Sequence, residues 1–459
     1  MARSRDYPRA ARETLRDEPG VREAVTRATL SFDVGRRRAW EEIDADAFRR
    51  WAEAVKNHAL GDLADLLERA EARLVERGAR VHWAETPGDV HRVLGEIVSR
   101  RGVRRAVKGK TMLGEELEVN AALERMGVEV VETDLGEYVI QLLGEPPSHI
   151  VGPAIHRSLD DIRALFHRRL GTPVDAPPEA LAARAREVLR EAFLTAGLGV
   201  TGGNFLVAET GSVVLVENEG NIRLTTSLPG VHVALVGIEK VIPRWDDLAG
   251  FVQLTARSAT GQAVPVYVSA LQGPAGAGEG DGPEELHVVL VDNGRTKALA
   301  DPHAWEALRC LRCGACLNVC PVYRQTGGHA YGWVYTGPIG AVLAPALLGT
   351  RAAHPLPFAS SLCGACFEAC PVRIPIPELL LEWRRRSVEE GLAPLPKRLA
   401  LSAYGFVAGR PPLFRAAGRA LRSLPVLGRL PGVGAWRKGR EVPEPADHTF
   451  AELWDDGIE

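Results

Sequence analysis

The 459-residue sequence lacks the features of several large protein classes. No apolar run reaches the roughly 18 residues that a membrane-spanning helix needs, so no membrane span is predicted. The N-terminal twenty residues carry charges but no apolar stretch, which argues against a secretory signal and predicts a cytoplasmic protein. The formal net charge is only −3, so nothing in the overall composition indicates a nucleic-acid partner.

Motifs for hydride-carrying cofactors are also missing. The glycines in 197–202 match G-x-G-x-x-G, but a predicted helix precedes them and a strand follows, the reverse of a dinucleotide-binding unit. A loop that ends a helix explains them better. Residues 109–111 resemble the end of a phosphate-binding loop, but Arg104 stands where its first glycine belongs. No flavin signature is visible, so no catalytic residue is assigned from motifs.

Cysteine is present in a pattern that carries chemistry. All seven cysteines lie between Cys310 and Cys370, and an odd, clustered set in a reducing compartment indicates metal binding rather than disulfides. Residues 310–321 read CLRCGACLNVCP, the C-x2-C-x2-C-x3-C-P run of bacterial ferredoxins. Residues 363–371 read CGACFEACP at an offset of 50 residues, which makes an internal repeat. Structural zinc calls for longer gaps between ligand pairs, so two [4Fe–4S] clusters are predicted.

The spacing also predicts which cysteines share a cluster. Three thiolates two residues apart can wrap three corners of a cluster, whereas the fourth, before proline, points away and binds the neighbouring cluster. Cluster one is therefore expected to take Cys310, Cys313, Cys316 and Cys370. Cluster two is expected to take Cys320, Cys363 and Cys366.

Cluster two is then one cysteine short. The repeat offset places Ser360 where the counterpart of Cys310 belongs. An oxygen of Ser360 or Ser361, a nitrogen of His354, a water or a partner group could complete the site, and a three-iron cluster is a further alternative. We favour a four-iron cluster with a non-cysteine or open fourth position.

Hydrophobic periodicity predicts an α/β protein. Residues 1–75 read as helical, with the first twenty expected to form a loose arm because of Pro8 and Pro19. Strands then alternate with helices over 79–292, which predicts βαβ units on a largely parallel sheet, and residues 148–153 are one of the strand candidates.

The C-terminal region is unusual in its charge. Residues 397–440 contain ten lysines or arginines and no acidic residue, and residues 441–459 are acidic. Three interpretations of the basic segment stay open: a solvated charged face, docking on an acidic partner, or peripheral contact with a membrane.

The order of these pieces resembles the lactate utilization protein B family. The resemblance rests on VKGKTM at 107–112, on the segments 132–156 and 201–243, and on both cysteine motifs. It implies an α/β domain like those of sugar-phosphate isomerases and CoA transferases, followed by an α-helical dicluster ferredoxin-type domain. The implied boundaries are 1–75 for the helical segment, 76–295 for the lactate-utilization domain, 300–385 for the ferredoxin-type domain, and 390–459 for the C-terminal extension.

The resemblance further implies a subunit of a three-component cytoplasmic system that oxidises L-lactate to pyruvate. Partners would be the other subunits and redox proteins or a quinone-linked chain, and this chain would pass electrons. One competing hypothesis is a self-contained 2-hydroxy-acid oxidoreductase with substrate in the α/β domain beside cluster two. Another is an assembly scaffold. The polar candidates for the enzyme hypothesis, near predicted strand ends, are Lys108, Lys110, His149, His156, Glu209 and Asn218.

Overall fold

A six-stranded parallel sheet lies at the centre of the fold, with strand order β1-β10-β7-β4-β2-β3. Every residue of β7 and β10 is buried, as expected for central strands covered by helices on both faces. The strands are β1 (Arg80–Ala84), β2 (Arg105–Lys108), β3 (Glu129–Glu132), β4 (Leu198–Gly202), β5 (Phe205–Val207), β6 (Ser212–Glu217), β7 (Val231–Gly237), β8 (Val241–Ile242), β9 (Tyr267–Leu271) and β10 (Glu285–Val291).

A second sheet has four strands in the order β8-β5-β6-β9. Strand β5 pairs parallel with β8 and antiparallel with β6, which in turn pairs antiparallel with β9. Because β4 and β5 are separated by two residues, the loop between them connects the two sheets.

The computed structural model describes residues 7–276, 278–279, 281–423, 446, 448–455 and 457. Met1–Arg386 and Ser387–Glu459 are two separate compact units. No helix in these ranges combines the length and apolar character needed to cross a membrane. The helices up to the unit boundary are α1 (Tyr7–Asp17), α2 (Pro19–Glu41), α3 (Ala45–Gly61), α4 (Leu63–Glu76), α5 (Pro87–Arg101), α6 (Met112–Glu116), α7 (Val119–Arg125), α8 (Leu135–Leu143), α9 (Leu159–Leu170), α10 (Pro178–Thr195), α11 (Asn221–Ser227), α12 (Trp245–Ala259), α13 (Arg295–Leu299), α14 (Ala315–Asn318), α15 (Pro321–Thr326), α16 (Gly337–Leu348), α17 (Thr350–Ala353), α18 (Ala365–Glu368) and α19 (Ile376–Glu389).

The N-terminal helices, the four-stranded sheet and the cysteine segment share one apolar core, which contains residues from Tyr7 to Trp383. The first 386 residues therefore form one compact unit, and the finer division at 75, 295 and 300 stays a prediction. The predicted α/β architecture with a following cysteine domain is confirmed.

Two local expectations are wrong. Residues 7–17 are the helix α1 rather than a loose arm, because Pro8 lies in the first turn, where its missing N–H costs nothing. Tyr7 is buried there against Tyr331, with 5.0 Å between ring centroids. Residues 148–153 form a loop rather than a strand, since the N–H groups of Val151 and Gly152 both donate to Nδ1 of His149.

The second unit contains helices α20 (Leu395–Ala408) and α21 (Pro411–Ser423) and a last helix, Phe450–Asp455. Helix α20 has no buried residue. Residues 424–440 of the basic segment and residues 441–445, 447, 456, 458 and 459 of the acidic tail lie outside the described residues. Helices α20 and α21 also expose large apolar side chains, which a solvated charged face alone does not explain, and the three interpretations of the basic segment stay predictions. These side chains are Leu395, Leu399, Leu401, Tyr404, Phe406, Leu413 and Phe414.

Candidate iron–sulfur centre and an adjoining cleft

The two cysteine motifs have the same backbone conformation. Arg312 and Leu362, 50 positions apart, both have a left-handed φ, of 62° and 56°. Gly314 and Gly364 follow with φ of 77° and 84°, and each precedes a four-residue helix, α14 and α18. The repeat in the sequence is therefore also a repeat in the structure.

One cavity is lined by four cysteines from both motifs: Cys310, Cys313, Cys316 and Cys370. Burial, and after it the charges of Cys310 and Cys370, raises the pKa of Cys313 to about 12. Four thiols around one cavity fit the four corners of a [4Fe–4S] cluster, whose iron would hold them as thiolates despite these raised pKa values.

The other three cysteines form a second group. Burial, and after it the charges of Cys320 and Cys363, raises the pKa of Cys366 to about 12. Cys363 is exposed, whereas the other six cysteines are buried. The two groups adjoin, because the charge of Cys366 also raises the pKa of Cys316. The structure thus brings together the sets expected from the sequence, and the crossed ligation itself stays a prediction.

Backbone N–H groups around the motifs donate to sulfur. The N–H of Arg312 donates to Sγ of Cys310, and that of Ile374 donates to Sγ of Cys370, each at 3.3 Å. Such donors favour the charged form of a thiol over the neutral one. The loops are therefore already shaped to hold thiolates.

Ser360 takes the place of sulfur in the second loop. The N–H of Leu362 donates to Oγ of Ser360 at 3.1 Å, in the same relation as Arg312 N–H to Cys310 Sγ. Ser361, in contrast, is exposed. This equivalence favours Ser360 among the alternatives for the fourth position of cluster two.

We expect Ser360→Cys to make cluster two more resistant to air. A hydroxyl holds iron less firmly than a thiolate does, so the iron at that corner should leave first in the parent protein. The measurement is iron loss and the three-iron EPR signal during controlled air exposure. Ser361→Cys is the matched control, and equal rates of loss in parent and Ser360→Cys would place the open corner elsewhere.

Arg49 of α3 holds the second motif from outside. Its guanidinium is almost fully buried and donates to the carbonyl oxygens of Cys370 and Phe367, both at 2.9 Å. These two bonds join the N-terminal helices to a loop more than 300 residues away. Sequence periodicity gave no sign of this role for Arg49.

His149 performs a similar role for the first motif. Its Nε2 contacts Oδ1 of Asn318 at 3.1 Å while Nδ1 accepts backbone N–H groups, which fixes the neutral tautomer. Burial lowers the pKa of His149 to about 3. Gly314 has a φ of 77°, and a Cβ there would lie 3.2 Å from Cε1 of this ring, so a larger residue would be strained and would crowd His149.

A cleft of about 250 Å³ lies between the carboxyl ends of the central strands and the first motif. Ligand sites of open parallel sheets lie at this edge. The lining includes Lys110 after β2, Gly203 after β4 and Glu239 after β7, and it also includes Arg312 and Cys313 of the first motif. The α/β domain therefore presents to the cysteine segment the edge at which open parallel sheets generally bind ligands.

A buried ion-pair network supports this cleft. Arg295 donates to both carboxylate oxygens of Glu116 at 2.9 Å and, through Nε, to Oε2 of Glu239 at 2.6 Å. The hydroxyl of Tyr335 donates to Glu116 at 2.6 Å. Burial alone raises the pKa of Glu116, but Arg295 outweighs it and holds that pKa below its ordinary value.

Two of the six polar candidates from the sequence, Lys110 and Asn218, line the cleft. Lys110 donates to the carbonyl of Val151 at 2.8 Å, and Asn218 contacts Gln262 at 2.9 Å. The other four are absent from its described lining. They are Lys108, His149, His156 and Glu209.

These four have structural partners. Lys108 is fully buried between Glu115 and Glu132, at 2.9 and 2.8 Å. His156 contacts Glu145 at 2.9 Å. Glu209 accepts the N–H of Trp245 at 2.8 Å. Their polar atoms hold the fold together rather than face the cleft.

The cleft lies beside the first cysteine set, which bears on the hypothesis of a substrate in the α/β domain. That hypothesis placed the substrate beside cluster two, but the motif cysteine in the cleft lining is Cys313, of the cluster-one set. The residues missed from the sequence include Arg312 and Glu239. The sequence held a signal for both: Arg312 lies within a cysteine motif, and Glu239 follows a predicted strand.

Comparison with known proteins gives consistent matches. A family described as the LUD domain matches residues 67–291, and one described as a 4Fe–4S dicluster domain matches residues 306–374. The second segment is therefore an iron–sulfur cluster-binding domain.

Curated relatives match nearly the whole chain. Lactate utilization protein B of Bacillus licheniformis is 42% identical over 451 residues, which cover 96% of this chain and 94% of that protein. A protein of Escherichia coli K12 named "uncharacterized electron transport protein YkgF" is 40% identical over 454 residues, with coverages of 97% and 95%.

Among solved structures, a DUF162 family protein of Deinococcus radiodurans matches with a TM-score of 0.29 and 15% identity. That match covers 50% of this chain and 98% of the other.

Proposed function

The chain belongs to the lactate utilization protein B family, and we propose that it is the iron–sulfur electron-transfer subunit of a multi-component system oxidising L-lactate to pyruvate. The observation that carries this proposal is the pair of adjoining cysteine groups, one buried beside the cleft and one reaching the surface at Cys363. Bound clusters accept and release electrons, with potentials set by their surroundings. Such an arrangement supports electron passage between the interior and a partner at the surface.

The proposed cofactors are two [4Fe–4S] clusters with crossed ligation. Cys310, Cys313, Cys316 and Cys370 would hold cluster one. Cys320, Cys363 and Cys366 would hold cluster two, with Ser360 at the fourth position. The grouping of thiols around one cavity and the electrostatic coupling within each set support this assignment.

The surrounding residues favour fast electron exchange because they fix the motif loops. Arg49 binds two carbonyls of the second motif, and His149 packs against Gly314 of the first. Rigid loops change little when a cluster gains or loses charge. The chain thus supplies positioning and electrostatics, and the clusters supply the redox chemistry.

Partners are required by the chemistry of lactate oxidation. Conversion of lactate to pyruvate removes two electrons and two protons, a step normally assigned to a flavin or nicotinamide cofactor. The motif search gave no support for either cofactor in this chain. We therefore assign that step to another subunit of the same cytoplasmic system.

We expect the isolated holoprotein to show no lactate oxidation with an artificial electron acceptor. Addition of L-lactate should leave its clusters oxidised by EPR, whereas lactate with an extract of lactate-grown source cells should reduce them. Reduction by lactate alone would support the self-contained oxidoreductase instead. If dithionite reduces the clusters but lactate with the extract does not, the result would favour the assembly-scaffold hypothesis.

A further inference from the structure

The end of the cleft next to the first cysteine motif carries more positive than negative charge. Glu239 is surrounded by Arg295, Arg312 and Lys240, and its backbone carbonyl accepts from Lys56 at 2.5 Å. The other carboxylate of this network is Glu116, bound to Arg295 and Tyr335. Three cations, Arg295, Arg312 and Lys240, therefore stand against these two carboxylates.

Arg312 is the incompletely paired member of this group. Its side chain is 9% exposed, and Nη2 contacts Oε1 of Glu239 at 3.3 Å. Nη1 has no hydrogen-bond partner anywhere in the described part of the chain. The guanidinium stacks on Tyr335, with 4.4 Å from Cζ to the ring centroid. A buried charged donor without an acceptor is costly, so this position lacks an acceptor, and Arg312 lines both the cleft and the cysteine cavity.

We propose that this end of the cleft binds a small monocarboxylate of the 2-hydroxy or 2-oxo acid class, with its carboxylate on Arg312 beside Cys313. The proposal rests on the proposed function and deepens it by giving the α/β domain a ligand. Arginine suits a carboxylate because its planar N–H groups match the two oxygens. The ligand completes the hydrogen bonding of Nη1 and offsets the positive charge. Binding is proposed, and no turnover is implied.

The size and the remaining charges of the cleft define the ligand further. Its volume of about 250 Å³ lies below the ~300–1,000 Å³ of drug-sized ligand sites, so a molecule of few atoms fits. The rest of the lining is acidic, with Asp134, Glu217 and Glu219 against Lys110. A second carboxylate would meet these acids, which favours a monocarboxylate over a dicarboxylate.

A competing explanation assigns the positive charge to cluster one alone. A bound cluster with four thiolates is anionic, and Lys240 donates to the carbonyl of Cys310 at 3.2 Å. In that case the cations would raise the potential of cluster one and no small anion would bind. The two explanations differ in what the intact holoprotein does with a carboxylate in solution.

The test is anaerobic isothermal titration calorimetry of the holoprotein with L-lactate, pyruvate, succinate and chloride. We expect saturable binding of lactate or pyruvate, and weaker binding of succinate and chloride. Arg312→Gln should weaken monocarboxylate binding roughly tenfold or more, since it removes a charge-assisted contact. Arg125→Gln, on the exposed side of α7 and outside the cleft lining, is the charge-matched control and should leave the affinity unchanged.

Arg312→Lys is the second variant, for the case that Arg312→Gln also loses the cluster. It keeps the positive charge and removes only the planar pair of N–H donors. It should bind more weakly than the parent with an unchanged iron content and EPR spectrum. Absence of saturable binding in the parent would overturn the proposal, as would equal affinities in the parent and in both Arg312 variants. Because binding needs no electron transfer, this outcome is independent of whether extract and lactate reduce the clusters.

Discussion

Cys370→Ser is expected to damage the cluster of the first motif, although Cys370 lies in the second. The variant should lose iron from that cluster, up to about four of about eight irons per chain, because a serine hydroxyl holds iron less firmly than the thiolate it replaces. The cluster that remains should be that of Cys363 and Cys366. Iron analysis and EPR of the reduced protein measure the loss and identify the surviving species.

Cys320→Ser is the reciprocal variant. It should spare the cluster of the first motif and damage the other, even though Cys320 belongs to the first motif by sequence. Together the two variants distinguish crossed from local ligation. If ligation were local, Cys370→Ser would spare the cluster of the first motif and Cys320→Ser would damage it. An iron content near four per chain in the parent, with a single EPR species, would contradict the two-cluster assignment.

Glu116→Gln is expected to destabilise the protein by about 3–5 kcal/mol, the cost of breaking a buried ion pair on one side. The side chains of Glu116 and Arg295 are each only 1% exposed, so water cannot replace the lost partner. Glutamine keeps the shape of the side chain and can still contact Tyr335, so the change in the free energy of unfolding measures the loss of the negative charge. Urea unfolding of the anaerobic holoprotein measures the free energy of unfolding.

Glu124→Gln, on the exposed face of the neighbouring helix α7, is the control and should stay within about 0.5 kcal/mol of the parent. The pH dependence has a definite sign. Arg295 holds the pKa of Glu116 below its ordinary value of 4.5, so its stabilising contribution is complete above that pH. It is lost as the pH falls, and the difference between parent and variant should therefore narrow below pH 4.5. A constant difference would contradict the ion-pair explanation.

Much of the fold could be predicted because its signals are local. The alternation of strands and helices follows the hydrophobic pattern, and the 50-residue offset revealed the cysteine repeat. Residues 148–153 were misassigned because an apolar stretch with β-branched residues resembles a strand, whereas the His149 ring captures the N–H groups that a strand would use. No window of sequence reports that competition.

The site was predictable where chemistry fixes the spacing and unpredictable where it depends on tertiary contacts. Thiolate spacing gave the two cysteine sets. The roles of Arg49 and Arg312 depend on partners far away in the sequence, so neither residue stood out among 56 lysines and arginines. For Lys108 the sequence suggested a functional role that the structure does not support. Its strand-end position made it a candidate, but its ammonium group pairs with Glu115 and Glu132.

The contact from Arg49 to Cys370 and Phe367 has a consequence for how the protein is made. The N-terminal helix leaves the ribosome long before the loop that it holds, because 321 residues separate Arg49 from Cys370. Contacts of such long sequence separation form late in folding. Until then the second cysteine motif lacks this contact. Delivery of iron and sulfide is therefore expected to follow completion of the chain, and a nascent chain stalled before Cys370 should carry no stable cluster one.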